Sequence, residues 1–235
     1  MSLATICASF WLRAGLGAPP PGVWLSSTAE TEQEVVEFAR EALRMVSDAH
    51  DWQRLLRTYT VALSPSASQV VALPVDFGRL VPGTVWLTDL SYAARGPVSE
   101  PEFEALLRPP VASSGPVFRL SEGALHLLAQ PAPGGSLSLR YVTGRPVVNG
   151  ATSRETWGAD NDVALVDERL ITLAMLALWR DARGLNSAGA AGLYASALAR
   201  TIADDRPLGV LGMGGLKPVG NAPVGLGNGQ TVVIP

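Results

Sequence analysis

Residues Val163–Arg183, VALVDERLITLAMLALWRDAR, decide how this chain is read. Val166, Leu170, Leu173, Ala174, Ala177 and Leu178 recur at helical spacing and make one apolar stripe, beginning at Val163. Leu165, Leu176 and Trp179 widen the apolar surface beyond that stripe. A helix that is apolar on more than one side must be buried on more than one side. The pattern therefore predicts a helix inside a bundle or between protomers, stopped by Gly184. Its most apolar run, Leu170–Trp179, contains Thr172 and is too short to cross a bilayer.

A buried helix needs partners, and the chain supplies them at both ends. Downstream, Asn186 or Ser187 is placed to cap a last helix reaching about Ala203, with Leu193, Ala197, Leu198 and Ile202 facing inward. Upstream, Leu3–Ala14 reads as a short helix, followed by a loop carrying Pro19-Pro20-Pro21-Gly22. A second helix is predicted over Glu30–Ala49. Val35, Phe38, Ala39, Ala42, Leu43, Val46 and Ala49 form its stripe, and either Ser27-x-x-Glu30 or Thr31-x-x-Glu34 is its capping box.

Between these helical halves the period changes. Thr58–Leu63 alternates, Ser64-Pro65-Ser66 turns the chain, and Gln69–Leu73 reads as the return strand of a hairpin. Val85-Trp86-Leu87 continues the β region. Ser99–Leu107 reads as a short helix with Ser99 as cap and Pro101 in its first turn. Val117–Leu120, Ala124–Ala129 and Ser136–Val142 read as a meander, turned at Glu122-Gly123 and Pro133-Gly134-Gly135. The predicted class is α+β. Residues 1–57 and 163–205 make a four-helix base, 58–162 an inserted antiparallel β-rich domain, and 206–235 an extended C-terminal tail.

That tail, RPLGVLGMGGLKPVGNAPVGLGNGQTVVIP, is too rich in Gly and Pro for a helix or an ordinary strand. It is not a polar linker either. Leu211, Met213, Leu216, Val232, Val233 and Ile234 are apolar, and Lys217 is its only charged side chain after Arg206. Water-exposed hydrophobes favour burial, so the tail reads as a strap that orders against a partner.

Composition narrows the function. The apolar fraction of 47% supports a real core, and the charged fraction of 17% fits a surface partly covered in an assembly. With 18 basic and 21 acidic side chains the net charge is −3, which gives no overall basic footprint for tight nucleic-acid binding. Cys7 is alone, so no intrachain disulfide forms. Leu3–Leu12 has the look of a short export-signal core, but no cation precedes it and Arg13 follows, so a buried first helix is the reading adopted.

Chemistry-bearing residues are sparse. His50 ends a helix, where imidazole can bond the last carbonyls, and His126 alternates with Leu125 and Leu127 on a strand surface. No zinc-ligand spacing and no Gly-x-Ser-x-Gly elbow is present. Gly212–Lys217 lacks the spacing of a phosphate loop, and Pro218 stands where a magnesium-holding hydroxyl would be. Asp160 and Asp162 flank Asn161 ahead of a helix. They read as caps and dipole partners rather than calcium ligands. Asp167, Glu168 and Arg169 form a charged band on an apolar helix. With Arg40 and Arg44, one turn apart on another helix, they are the candidate inter-subunit residues; Arg180 is a further partner for the band.

Three strings then coincide in order: Asp51-Trp52-Gln53-Arg54-Leu55, Leu73-Pro74-Val75-Asp76-Phe77-Gly78-Arg79-Leu80, and Asp167-Glu168-Arg169-Leu170-Ile171-Thr172-Leu173 with Trp179-Arg180 beyond. With a β insertion between two helical halves, residues 1–203 resemble the head-to-tail adaptor (connector) proteins of tailed bacteriophages, particularly the short-tailed type. The resemblance implies a non-enzymatic structural protein with no cofactor. It implies a homo-oligomeric ring, usually of twelve copies, beneath the portal protein and joined to a tail or nozzle protein. Such a ring is assembled in the host cytoplasm and sits at the head–tail interface of the virion, with no membrane. DNA passes through its channel without specific binding, which mild acidity suits. It also implies that the tail, through Leu211, Met213, Leu216, Val232, Val233 and Ile234, grips the portal.

Other readings stay open. One is a head-completion or tail-terminator ring. Another is a carbohydrate-binding β module with Trp86, Trp157, Tyr92 and Tyr141 as a platform. A third is a hydrolase using acids such as Asp76 and Glu122.

Overall fold

The computed structural model describes residues 2–20, 23–88, 93–108, 115–129, 131 and 133–205. The described residues up to Asp205 belong to one compact unit. Its class is α+β, with helices toward both ends and antiparallel sheets between them.

Helix α1, Leu3–Ala14, buries Leu3, Ile6, Cys7 and Phe10. The Ser2 side chain caps it, and Gly15 ends it at φ 74, a left-handed conformation that favours glycine. Helix α2, Glu30–Asp48, buries Val35, Val36, Ala39, Ala42, Leu43 and Val46. Neither predicted capping box forms. The N-cap is Ala29 without a side-chain bond, because the helix starts at Glu30 and leaves Thr31 inside its first turn. Ser27 Oγ instead accepts from Ala29 N at 3.1 Å, and Gln33 Nε2 reaches back to Ser27 O at 3.1 Å.

Helix α3, Glu100–Leu107, has Ser99 at its N-cap, without a side-chain bond, and Pro101 in its first turn. α4 spans Glu168–Ala182, and every residue from Leu170 to Leu176 is buried. This bears out burial on several sides, since α1, α2 and helix α5, Ala188–Asp205, all pack on it. Glu34 near the start of α2 pairs with Arg183 just past α4, so the two run antiparallel.

Two predictions at this end need correction. The helix does not begin at Val163, because Val163–Ala164 is a short strand and Asp167 is the N-cap. Leu193 does not face inward but is 61% exposed, lying on the flank of a buried side formed by Ala190, Tyr194, Ala197, Leu198 and Ile202.

The strands are β1 Leu56–Ala62, β2 Ser68–Ala72, β3 Phe77–Leu80, β4 Trp86–Leu87, β5 Val117–Ser121, β6 Ala124–Leu128, β7 Ser136–Thr143, β8 Val147–Asn149, β9 Thr152–Arg154 and β10 Val163–Ala164. Their pairing differs from the sequence expectation in two places. β1 and β2 do not form a hairpin. β1 pairs with β7, with Leu56 opposite Val142, while β2 pairs with β6 in another sheet. β5, β6 and β7 are not a meander either. β5 and β6 pair around Glu122-Gly123, but β7 crosses to the sheet of β1, β3 and β4. β8 lies between β9 and β10 in a third sheet.

Two apolar clusters result. One joins the helices to Leu55, Val142, Val147, Trp157 and Ala164. The other lies between the sheets, around Leu87, Phe118, Leu125, Leu127, Leu137 and Leu139.

Candidate functional site

Two of the three strings that carried the resemblance, Asp51–Leu55 and Leu73–Leu80, meet at the junction of α2 and β3, while the third lies on α4. α2 ends at Asp48, and its trailing carbonyls need partners. The Trp52 indole donates to Val46 O at 2.7 Å, and Arg79 Nη2 donates to His50 O at 2.8 Å. Arg79 also binds Asp51 Oδ1 through Nε at 3.0 Å and Nη2 at 2.8 Å, with Asp48 3.6 Å from Nη1. Gly78 lets the strand aim Arg79 there. A Cβ at Gly78 would lie 2.8 Å from Gly144 N, too close for any other residue. The predicted role of the His50 imidazole is corrected accordingly. It does not bond a helix carbonyl but lies 3.5 Å from Asp205 Oδ2, while Arg79 takes the His50 carbonyl just beyond the helix. Asp205 also accepts from Gln53 N at 2.9 Å, so the end of α5 is tied to the start of β1.

Asp160 and Asp162 have a different task from capping α4. Asp160 Oδ1 accepts from Trp24 N and Leu25 N at 3.2 and 3.1 Å, and its carbonyl accepts from Ala4 N. Asp162 is fully buried. It accepts from Gly158 N at 2.7 Å, Ala159 N at 2.9 Å, Asn149 Nδ2 at 2.8 Å and Arg154 Nη1 at 3.2 Å, while its carbonyl takes Leu3 N. Burial alone would raise this carboxyl, but the Gly158, Asn149 and Ala159 donors and the Arg154 charge outweigh it and hold the group below the usual carboxylate range. Together the two aspartates fasten the start of α1 to the loop before α4. Among the described residues, no group of three or more His, Cys, Asp and Glu is placed to hold a metal ion.

The candidate inter-subunit residues are spread over the helices. Arg40 pairs with Glu37 and lines a cleft of about 440 Å³ beside Trp24, Leu25 and Val36. Arg44 lies 3.7 Å from Glu41 and faces a second cleft of about 220 Å³, shared with Ser47, Asp48 and Arg79. Glu168 and Arg169 line a third, of about 320 Å³, between α1 and α4 with Thr5, Ser9 and Arg13. Asp167 is the α4 cap, accepting from Arg169 N at 2.7 Å. The structure thus brings Glu168 and Arg169 together and sets Arg40 and Arg44 in separate clefts. Sequence reasoning missed Arg79 and Arg183, whose partners lie far away in sequence. It also missed Arg13, which an isolated helical pattern cannot pair.

The rival chemistries find little geometry. Trp157 is 2% exposed and Tyr141 is 5% exposed, so both are core and cannot form a sugar platform with Trp86. Tyr141 OH donates to Asp76 at 2.8 Å, and burial, then this bond, push its phenol up to about 12. Asp76 also accepts from Thr143 Oγ1 at 3.0 Å, while Glu122 stands exposed at the β5–β6 turn of another sheet. Cys7 is buried, and that burial, followed by the Asp160 charge, pushes its thiol up to about 12. Tyr92 and the six tail residues Leu211, Met213, Leu216, Val232, Val233 and Ile234 lie outside the described residues. No helix among the described residues is long and apolar enough to cross a membrane. Among known proteins, no family model matches the chain and no curated protein shows significant similarity to it.

Proposed function

We propose that the chain is a structural head-to-tail adaptor of a tailed bacteriophage, forming a ring under the portal and joining the capsid vertex to the tail. The observation that carries this reading is the packing of helices from both sequence ends on α4, with the strands inserted between them. In this reading α1, α2, α4 and α5 are a four-helix base and residues 206–235 are the strap that grips the portal. The chain performs no catalysis and uses no cofactor; its partners are the portal, a tail or nozzle protein and further copies of itself, about twelve as the family resemblance implies. DNA passes through the channel without specific binding. Asp205, the last described residue, is held by Gln53 and His50, so in this reading a pull on the strap loads the α2–β1 junction.

Deleting residues 206–235 tests the reading. The truncated chain should melt as the full chain does and fail to stay on the portal. Truncated chains that still join portals and yield filled, infectious particles at normal titre would refute it.

A further inference from the structure

We propose that the free edge of β1 receives the C-terminal strand, Thr231–Ile234, of a second copy of this chain. This rests on the ring reading; it moves Val232, Val233 and Ile234 from the portal grip to a neighbouring copy and leaves the portal contacts to Leu211, Met213 and Leu216.

The edge follows from hydrogen-bond parity. Thr143 N donates to Leu55 O, and Leu63 N donates to Gly135 O, each at 2.9 Å, in the register that sets Leu56 opposite Val142. Opposed pairs alternate between bonded and non-bonded in an antiparallel ladder. Thr58, Thr60 and Ala62 therefore turn their N–H and C=O groups away from β7. None of these groups finds a partner among the described residues, and all three residues are exposed.

Residues Arg95–Val98 bond the outer side of β5. The edge of β2 is closed at Ser68 O, which Ser66 Oγ takes, and leaves Val70 and Ala72 open, one residue fewer than β1 offers. β1 has no proline or lysine to discourage pairing. Its one charge, Arg57, is turned onto the carbonyls of Arg54 and Leu56. Tyr59 and Val61 are only half-buried, whereas their β7 partners Leu139 and Leu137 are fully buried. The edge thus calls for an extended segment with apolar residues at alternate positions.

This chain carries such a segment. In Thr231-Val232-Val233-Ile234, Val232 and Ile234 alternate and would complete the cover of Tyr59 and Val61. No charge in the segment opposes pairing. The 25 residues from 206 to 230 reach up to about 80 Å from Asp205, enough for a neighbouring copy. Donor terminus and acceptor edge do not overlap, so each copy gives one strand and takes one. Passed head to tail, that is a heterologous contact, which forms a ring when the rotation between copies closes.

Hydrogen exchange on mixed samples tests this. An isotope-labelled chain lacking residues 231–235 is mixed with unlabelled full chain, and exchange at the Thr58, Thr60 and Ala62 amides is followed by NMR. We expect those amides to slow by about tenfold or more on mixing, since they otherwise face solvent. Slowing in the labelled full chain alone, with none in the mixture, would mean that the segment pairs in its own chain and would overturn the proposal. No slowing in either sample would overturn it too. Native mass spectrometry of the same full chain separates the two claims, because rings with unprotected amides reject the strand while leaving the ring reading intact.

Discussion

Arg79 closes the C-terminal end of α2 by holding Asp51 Oδ1 with two donors, at 2.8 and 3.0 Å, while its Nη2 also binds His50 O. The pair joins two segments 28 residues apart. Both side chains remain over a third exposed, so solvent weakens the attraction. Arg79→Met should cost about 1–2 kcal/mol, most of it from the His50 carbonyl left without its donor. Asp51→Asn should cost less, because the carbonyl bond survives. Urea unfolding checks the order, and equal losses would contradict it.

Asp162 should set the acid limit of the fold. A carboxyl held below its ordinary value of about 3.9 stabilises the folded state above that value, and the contribution is lost as pH falls through the folded value. Wild-type melting temperature should therefore drop more steeply below about pH 4 than that of Asp162→Asn. At neutral pH, Asp162→Ala should cost about 3 kcal/mol or more, leaving its donors and Arg154 unpaired. Parallel pH profiles would show that the buried carboxylate plays no such role.

Leu170 is 1% exposed at the centre of the helical core. Leu170→Asp should cost more than about 4 kcal/mol, since it buries an unpaired charge. Circular dichroism at 25 °C should show a largely unfolded chain. Wild-type melting would mean that the helix is not buried.

Cys7 should be chemically silent in the folded protein. Only the thiolate reacts, and burial pushes this thiol up to about 12. Labelling by a thiol reagent at pH 8 should proceed only at the rate of unfolding and become fast in denaturant. Rapid native labelling would place α1 outside the core.

Glu168→Arg should weaken oligomers more than it weakens the monomer fold, if the α1–α4 cleft is a contact between copies. Native mass spectrometry beside a thermal melt reads both. An unchanged oligomer distribution removes Glu168 from the interface.

Helices were legible in the sequence because their periodicity reports a buried face directly. Leu3–Ala14 matches α1 at both ends, and the all-round apolar character of Leu170–Leu176 corresponds to burial among three helices. Strand partners were not legible. Alternation in Thr58–Leu63 tells which residues share a face, but not that Ser64-Pro65-Ser66 would carry the chain into another sheet. The same limit applies to Pro133-Gly134-Gly135, which joins β6 to a strand it never pairs with. Charge partners were the least legible part of the candidate site. Asp51–Arg79, Glu34–Arg183 and the hold of Asp160 on Trp24 are set by tertiary approach, so local spacing points at caps where the fold builds long-range ties.

The central claim is that this chain builds a ring on a portal, and electron microscopy of the purified full chain mixed with the portal protein of the same genome tests it most directly. The account predicts a collar of radially arranged copies, about twelve by the family resemblance, seated on the portal and lost when residues 206–235 are removed. Bare portals alongside dispersed single copies of the full chain would contradict it.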